Sequence, residues 1–234
     1  GNEIRRMKSS PSIGIVRQTW NLRTNNTNPI GSGGSGFLVT PGEYSVSIIL
    51  IKDGKSELLI DKKTFTVKGL NNQTFIAKNP EELKAFRAEV AELNRQVSGT
   101  EKVMKETKEK VNLIEKALLG YPNTDLDLME TIRSMKVTYK DLEVMMWGDN
   151  ARSSRDFETV PSISGRLGMV GYQLYQNTTG VTNTHRENKN IAEKQYIELK
   201  TKLNQIISYL EAVEDKLEGI IPYTKAKGGD WKED

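Results

Sequence analysis

Two segments of this chain place apolar side chains at alternating spacings of three and four residues. That pattern limits the possible folds more than any other feature of the sequence. The first seam runs through Leu83, Phe86, Val90, Leu93, Val97, Thr100, Met104, Thr107, Val111, Ile114 and Leu118. Such a repeat keeps one stripe of a helix facing a partner helix. Asn79-Pro80-Glu81-Glu82 ahead of it supplies a cap, a proline at the first helical position and two acids in the first turn. Gly120 and Pro122 close it, and Gly99 is a candidate local kink. A helix of about 40 residues spans about 60 Å. The second seam, Ala192, Tyr196, Leu199, Leu203, Ile206, Leu210, Val213, Leu217 and Ile220, predicts a helix from about Thr184 to Ile220, closed by Pro222.

Two shorter helices fit between them. Leu128, Ile132, Met135, Tyr139, Leu142 and Met146 form a seam that begins near Asp125, with Thr124 as cap, and stops at Gly148. Ile163, Leu167, Val170 and Leu174 are in step after Pro161. Between these lies the irregular stretch Asp149–Val160, and Asn177–Asn183 reads as a polar turn. Short connections favour antiparallel neighbours. The expectation is an elongated antiparallel four-helix bundle, up-down-up-down, whose short pair covers half of the long pair and leaves a two-helix stalk.

Before residue 75 the period is two. Tyr44, Val46, Ile48 and Leu50 alternate against Ser45 and Ser47, as in a half-buried strand. Pro41-Gly42 turns into that strand, and Asp53-Gly54 marks a hairpin. Val16, Gln18, Trp20 and Leu22 share a face, as do Phe65 and Val67. These short runs predict a small antiparallel β-sandwich, below the ~100 residues of a complete one. The expected class is therefore α+β in two domains: a sandwich over 1–75, a helical bundle over 79–222 and a polar tail over 223–234.

Composition narrows the function. Lys+Arg is 34 against 31 Asp+Glu, a net charge of +3 that gives no general attraction to nucleic acid. No run of about 18 apolar residues is present to cross a bilayer. With no Cys, thiol catalysis and cysteine-ligated metals are excluded. One histidine, His185, leaves little acid–base chemistry. The glycine run Gly31–Gly36 lacks the Lys-Ser/Thr of a phosphate loop and reads as a flexible link. No cofactor is expected. The chain opens without Met, which reads as a fragment or a processed form.

Asp149, Arg152, Arg155 and Arg166, with His185, are the candidate polar cluster. They surround the crossover, where backbone groups need partners, so a structural network is the first reading and a ligand site the second. His185 opens a helix, where a capping role competes with catalysis. Trp20, Tyr44 and Trp147 are the aromatics that could stack on a sugar, although Trp20 and Tyr44 also fall on faces that need a core.

Three groups of residues resemble a known family. Gly1-Asn2-Glu3-Ile4-Arg5-Arg6, Val16-Arg17-Gln18-Thr19-Trp20-Asn21-Leu22-Arg23 and Pro41-Gly42-Glu43-Tyr44-Ser45-Val46 resemble the terminal Ig/fibronectin III-like module of large bacterial secreted proteins. In that family a sortilin-like β-propeller with BNR repeats, often labelled glycosyl hydrolase, precedes the module. Gly148-Asp149, Arg155, Pro161-Ser162-Ile163-Ser164-Gly165-Arg166 and Thr184-His185-Arg186 look like the helical C-terminal region of the same proteins. Asn21 stands where the family usually shows Asp, and the strand that normally precedes Gly1-Asn2 is absent.

The resemblance implies a secreted or periplasmic location and an upstream propeller as partner. It transfers no catalytic residue, since any active site would sit on that propeller. The functional expectation is a non-catalytic accessory region, acting as spacer, docking surface or self-associating scaffold. The alternative is a carbohydrate-binding module. Nucleic acid and membrane insertion are not expected.

Overall fold

The computed structural model describes residues 2–10, 12–26, 34–70, 78–120 and 126–217. The class is α+β: among the described residues a two-stranded antiparallel sheet precedes five helices. The strands are β1 (Gly42–Lys52) and β2 (Lys55–Val67), and the helices are α1 (Pro80–Leu119), α2 (Leu126–Trp147), α3 (Asn150–Ser153), α4 (Ile163–Gln176) and α5 (Asn183–Leu217). The expected caps at Thr124 and Pro222, and the tail 223–234, lie outside the described residues.

The chain divides into two compact units. The first holds Gly1–Asn26, Gly33–Ala88 and Leu174–Val181; the second holds Thr27–Ser32, Glu89–Gln173 and Thr182–Asp234. The opening turns of α1 and the end of α4 thus belong with the β residues.

In the first unit, Asp53 and Gly54, both with positive φ, make the tight turn between β1 and β2. Tyr44 pairs with Phe65, Val46 with Lys63, Ile48 with Ile60 and Leu50 with Glu57, with register shifts on either side of Ile48. Trp20 packs edge-on against Tyr44 at 5.8 Å and against Phe65 at 6.1 Å between ring centroids. An isolated antiparallel bridge joins Arg23 to Leu38. The expected sandwich is not what the described residues form. The alternation over Tyr44–Leu50 is real, but Val46 and Ile48 in the middle of its apolar face are exposed, while Tyr44 and Leu50 are half-buried.

The helical unit corrects the four-helix expectation. Lys189 pairs with Glu89 at 3.5 Å, Tyr196 with Thr100 at 2.9 Å, and Glu214 with Lys110. Positions rise together along α1 and α5, so the two long helices run parallel. On α2, Lys136 meets Glu115 at 2.7 Å and the Trp147 indole N–H meets Glu101 at 3.1 Å, an antiparallel course. Helix α4 continues the same way, with Ser164 bonded to Glu101 at 3.1 Å and Gly171 beside Asn94.

The arrangement is up-down-up with three legs, and α2 and α4 are the two halves of the middle one. Their 22 and 14 residues together fall between the 35 of α5 and the 40 of α1. The physical reason is the crossover, which interrupts a leg without reversing it. Gly148 ends α2 at φ +93°, Asp149 starts one turn of helix, and Ser162 restarts the leg by capping Gly165 N–H at 3.1 Å. Seam residues from α1, α2, α4 and α5 share one apolar core, including Met104, Ile114, Ile132, Leu142, Leu167, Leu199 and Leu210. Helix α1 runs unbroken through Gly99.

Candidate functional site

The residues singled out by sequence are spread over several local tasks. Asp149 accepts the backbone N–H of Arg152 at 3.1 Å and caps α3. The side chains of Arg152 and Arg155 are exposed. Arg166 donates from Nη1 to Asn188 Oδ1 at 2.8 Å, tying α4 to α5. The structure brings Asp149 to backbone and Arg166 to an amide, rather than gathering the set around one centre.

His185 is buried, and both ring nitrogens are engaged. The Thr182 hydroxyl accepts the His185 N–H at 3.2 Å, while His185 Nδ1 accepts the Thr182 N–H at 3.1 Å. This is a reciprocal capping box with histidine where glutamate or glutamine usually stands. Its Nε2 meets Gln173 Oε1 of α4 at 2.9 Å. Accepting at Nδ1 and donating at Nε2 requires the neutral ring. Burial, assisted by the Arg186 charge, holds the imidazole below its ordinary pKa. Every polar atom of the side chain is thus spent on joining α4 to the start of α5, the capping alternative raised by sequence.

The aromatics are half-buried. Trp20 donates its indole N–H to Arg23 O at 2.8 Å, and Tyr44 donates its hydroxyl to Thr40 O at 2.7 Å. Trp147 packs against the helical core and bonds Glu101. Glu101 was not evident from the sequence. Its Oε1 accepts from both Trp147 and Ser164, so one carboxylate on α1 spans the break in the middle leg.

Sequence reasoning also missed a ladder of arginines in the first unit. Arg5 donates to Gly34 O at 3.2 Å and to Thr24 O at 2.9 Å. Arg23 donates to Gly36 O at 3.4 Å and to Tyr175 O at 3.3 Å, with its guanidinium 3.5 Å from the Tyr175 ring centroid. Arg87, buried, donates to Leu38 O, Leu174 O and Asn177 O, each at 2.9 Å. Alternate carbonyls at 34, 36 and 38 therefore each receive a guanidinium, where a further strand would place its N–H groups. Leu174 and Asn177 lie at the C-terminal end of α4, so Arg87 also supplies cation and donor to carbonyls that a helix end leaves unpaired. Burial, and then the neighbouring Arg23 charge, hold the Arg87 pKa below its ordinary value. The one available signal was position: Arg87 follows Phe86 and sits four residues after Leu83, on the buried stripe.

Among the described residues no group of three His, Cys, Asp or Glu side chains could hold a metal ion. Nor is any described helix long and apolar enough to cross a membrane.

Comparison with known proteins overturns the family resemblance. No family model matches the chain, and no solved structure matches it. The similarity found is to Nucleoporin alm1 of Schizosaccharomyces pombe, 24% identical over 171 residues, covering 69% of this chain. The chain spans about a tenth of that protein, 10% of its length. A bacterial sortilin-like or BNR-propeller assignment is therefore withdrawn. The secreted or periplasmic location and the upstream propeller partner were implied only by that resemblance. A likeness to a nucleoporin points away from the location, and the partner loses its basis.

Proposed function

We propose that this chain is a non-catalytic scaffold: a helical spacer joined to a small β element that offers a docking surface. The observation that carries the reading is where the polar chemistry goes. Asp149, Ser162 and His185 are spent on helix ends, Glu101 on the break in the middle leg, and Arg87 on three carbonyls. Moving any of these groups onto a substrate would break a contact that holds a helix end, the break in the middle leg or a buried carbonyl.

The helical part is suited to holding separation. Its seams are continuous, and ion pairs such as Lys136–Glu115 and Lys108–Glu143 link neighbouring legs. Two-stranded ribbons are marginal alone, and this one carries apolar residues to solvent along most of its length. We read the ribbon as one layer of a two-layer β structure. The nucleoporin likeness, limited to a tenth of that protein, adds no activity to the reading.

The test is a panel of glycosides and peptides incubated with the chain. No turnover is expected. Turnover that His185→Ala abolishes would overturn the scaffold reading. A second reading, carbohydrate binding, draws on the half-exposed Trp20 and Tyr44 rings. Their edges and polar atoms are already engaged with each other and with Arg23 and Thr40, so a glycan array is expected to be blank. A hit lost on Trp20→Ala would favour that second reading instead.

A further inference from the structure

One face of the ribbon places its apolar and charged residues symmetrically about a middle row. By register, Tyr44 and Phe65, Val46 and Lys63, Ile48 and Ile60, and Leu50 and Glu57 form successive cross-strand rows on that face. Trp20 covers the first row. Beyond it, Val46 and Ile48 are each 48% exposed and Ile60 41%. The opposite face alternates with Ser45, Ser47, Ser56, Thr64 and Thr66, although Ile49, Ile51 and Leu58 lie there too. A contiguous apolar stripe of this kind marks an interaction surface.

The charges on the face are arranged symmetrically. The Ile48/Ile60 row is uncharged. The row on one side carries Lys63 and the row on the other carries Glu57, both on β2. Consider two ribbons stacked face to face about a two-fold axis that lies between them, across the strands, at the Ile48/Ile60 row. The rotation lays β2 over β2 and reverses its direction. Lys63 of each copy then stands over Glu57 of the other, twice, while Val46 meets Leu50 and the two isoleucines meet their own copies. Self-complementarity of this kind is what a two-fold interface requires of a single surface.

We propose that a second copy of this chain covers this face, completing a two-layer β structure between chains. The inference rests on the scaffold reading and names its docking partner. The face is small. It covers less than the ~800 Å² per partner of a standard interface, so the dimer belongs in the micromolar range or weaker.

Sedimentation velocity of the full chain, from about 1 µM to about 1 mM, reads the association directly across the range expected of so small an interface. The expected result is a concentration-dependent monomer–dimer equilibrium. Glu57→Lys or Lys63→Glu alone sets like charges face to face at both contacts and is expected to weaken association roughly 100-fold. The double exchange Glu57→Lys with Lys63→Glu restores the pairing and is expected to return the dimer to within a few-fold. Both side chains are exposed, and far-UV circular dichroism verifies that each variant remains folded. A strict monomer throughout, a dimer indifferent to the single reversals, or a folded double exchange that stays monomeric would each overturn the inference. A monomer leaves the spacer role standing, whereas hydrolytic turnover removes the scaffold reading whatever the association state.

Discussion

Arg87→Met removes the guanidinium that Leu38 O, Leu174 O and Asn177 O share, while keeping an apolar stem of similar length. Each carbonyl left unpaired and buried costs about 1–3 kcal/mol. Three such losses do not add in full. Water reaches the half-buried Asn177, and the variant no longer buries a cation that pairs with carbonyls and the Phe37 ring but with no anion shown beside it. A net loss of about 3 kcal/mol follows. For a chain of this size that corresponds to roughly 6–12 °C in melting temperature. The assay is thermal unfolding followed by far-UV circular dichroism at constant pH, with the lower transition read if the two units melt separately. Arg87→Lys provides the control. An ammonium presents its donors from one point rather than a planar fork, so it cannot reach all three carbonyls and falls between wild type and Met. A Met variant melting within about 2 °C of wild type, or a Lys variant indistinguishable from it, would refute the assignment of Arg87 as the joint of the first unit.

Three further outcomes are expected. His185 has a folded-state pKa below its ordinary 6.5. The unfolded chain therefore takes up the proton first as pH falls, so stability is full above about pH 6.5 and declines from there toward the lowered pKa. Glutamine can also accept at that capping position; His185→Gln is expected to flatten the decline in denaturant titrations between pH 7 and 5, and an unchanged slope would refute the neutral-ring geometry. Gly148→Ala forces a β-carbon onto a residue at φ +93° and is expected to cost about 1 kcal/mol in urea unfolding; no loss would show that the crossover does not need that conformation. Tyr139 donates to Met104 O at 2.6 Å, and burial, with the Glu143 charge, pushes its phenol up to about 12. Ultraviolet titration should show one tyrosine ionising near that value, absent in Tyr139→Phe, and a full complement ionising near 10 would contradict its burial.

Much of the helical unit was legible because its information is periodic. Leu83 through Leu118 and Ala192 through Leu217 occupy the stripe that the spacing assigns, and Asn79 caps α1 by accepting the Glu82 N–H at 3.1 Å. Direction was not legible. A three–four seam says which face is buried, but it does not say whether an irregular link such as Asp149–Val160 reverses the chain or merely interrupts it. That depended on Gly148, Asp149 and Ser162 acting in concert, with Glu101 bridging the gap from another helix.

The arginines were illegible for a different reason. A charge beside a seam ordinarily snorkels to water, and nothing local to Arg87 shows that distant carbonyls from Leu38, Leu174 and Asn177 converge on it. In the β half, the alternation Tyr44–Leu50 located strand β1, whereas strand count and the covering of either face depend on neighbours that no local pattern supplies. The motif-level resemblance had the same weakness, since short polar motifs in order did not amount to a family.

The claim on which the helical architecture depends is that α1 and α5 run in the same direction. The chain has no native cysteine, so Lys110→Cys with Glu214→Cys gives a clean pair for spin labels. Parallel helices put those positions side by side, and double electron–electron resonance should report a separation under about 20 Å. An antiparallel course would pair Lys110 with the neighbourhood of Asn190 instead, 24 residues before Glu214 and thus about 36 Å away at about 1.5 Å per residue; a distance of that order would contradict the three-leg arrangement.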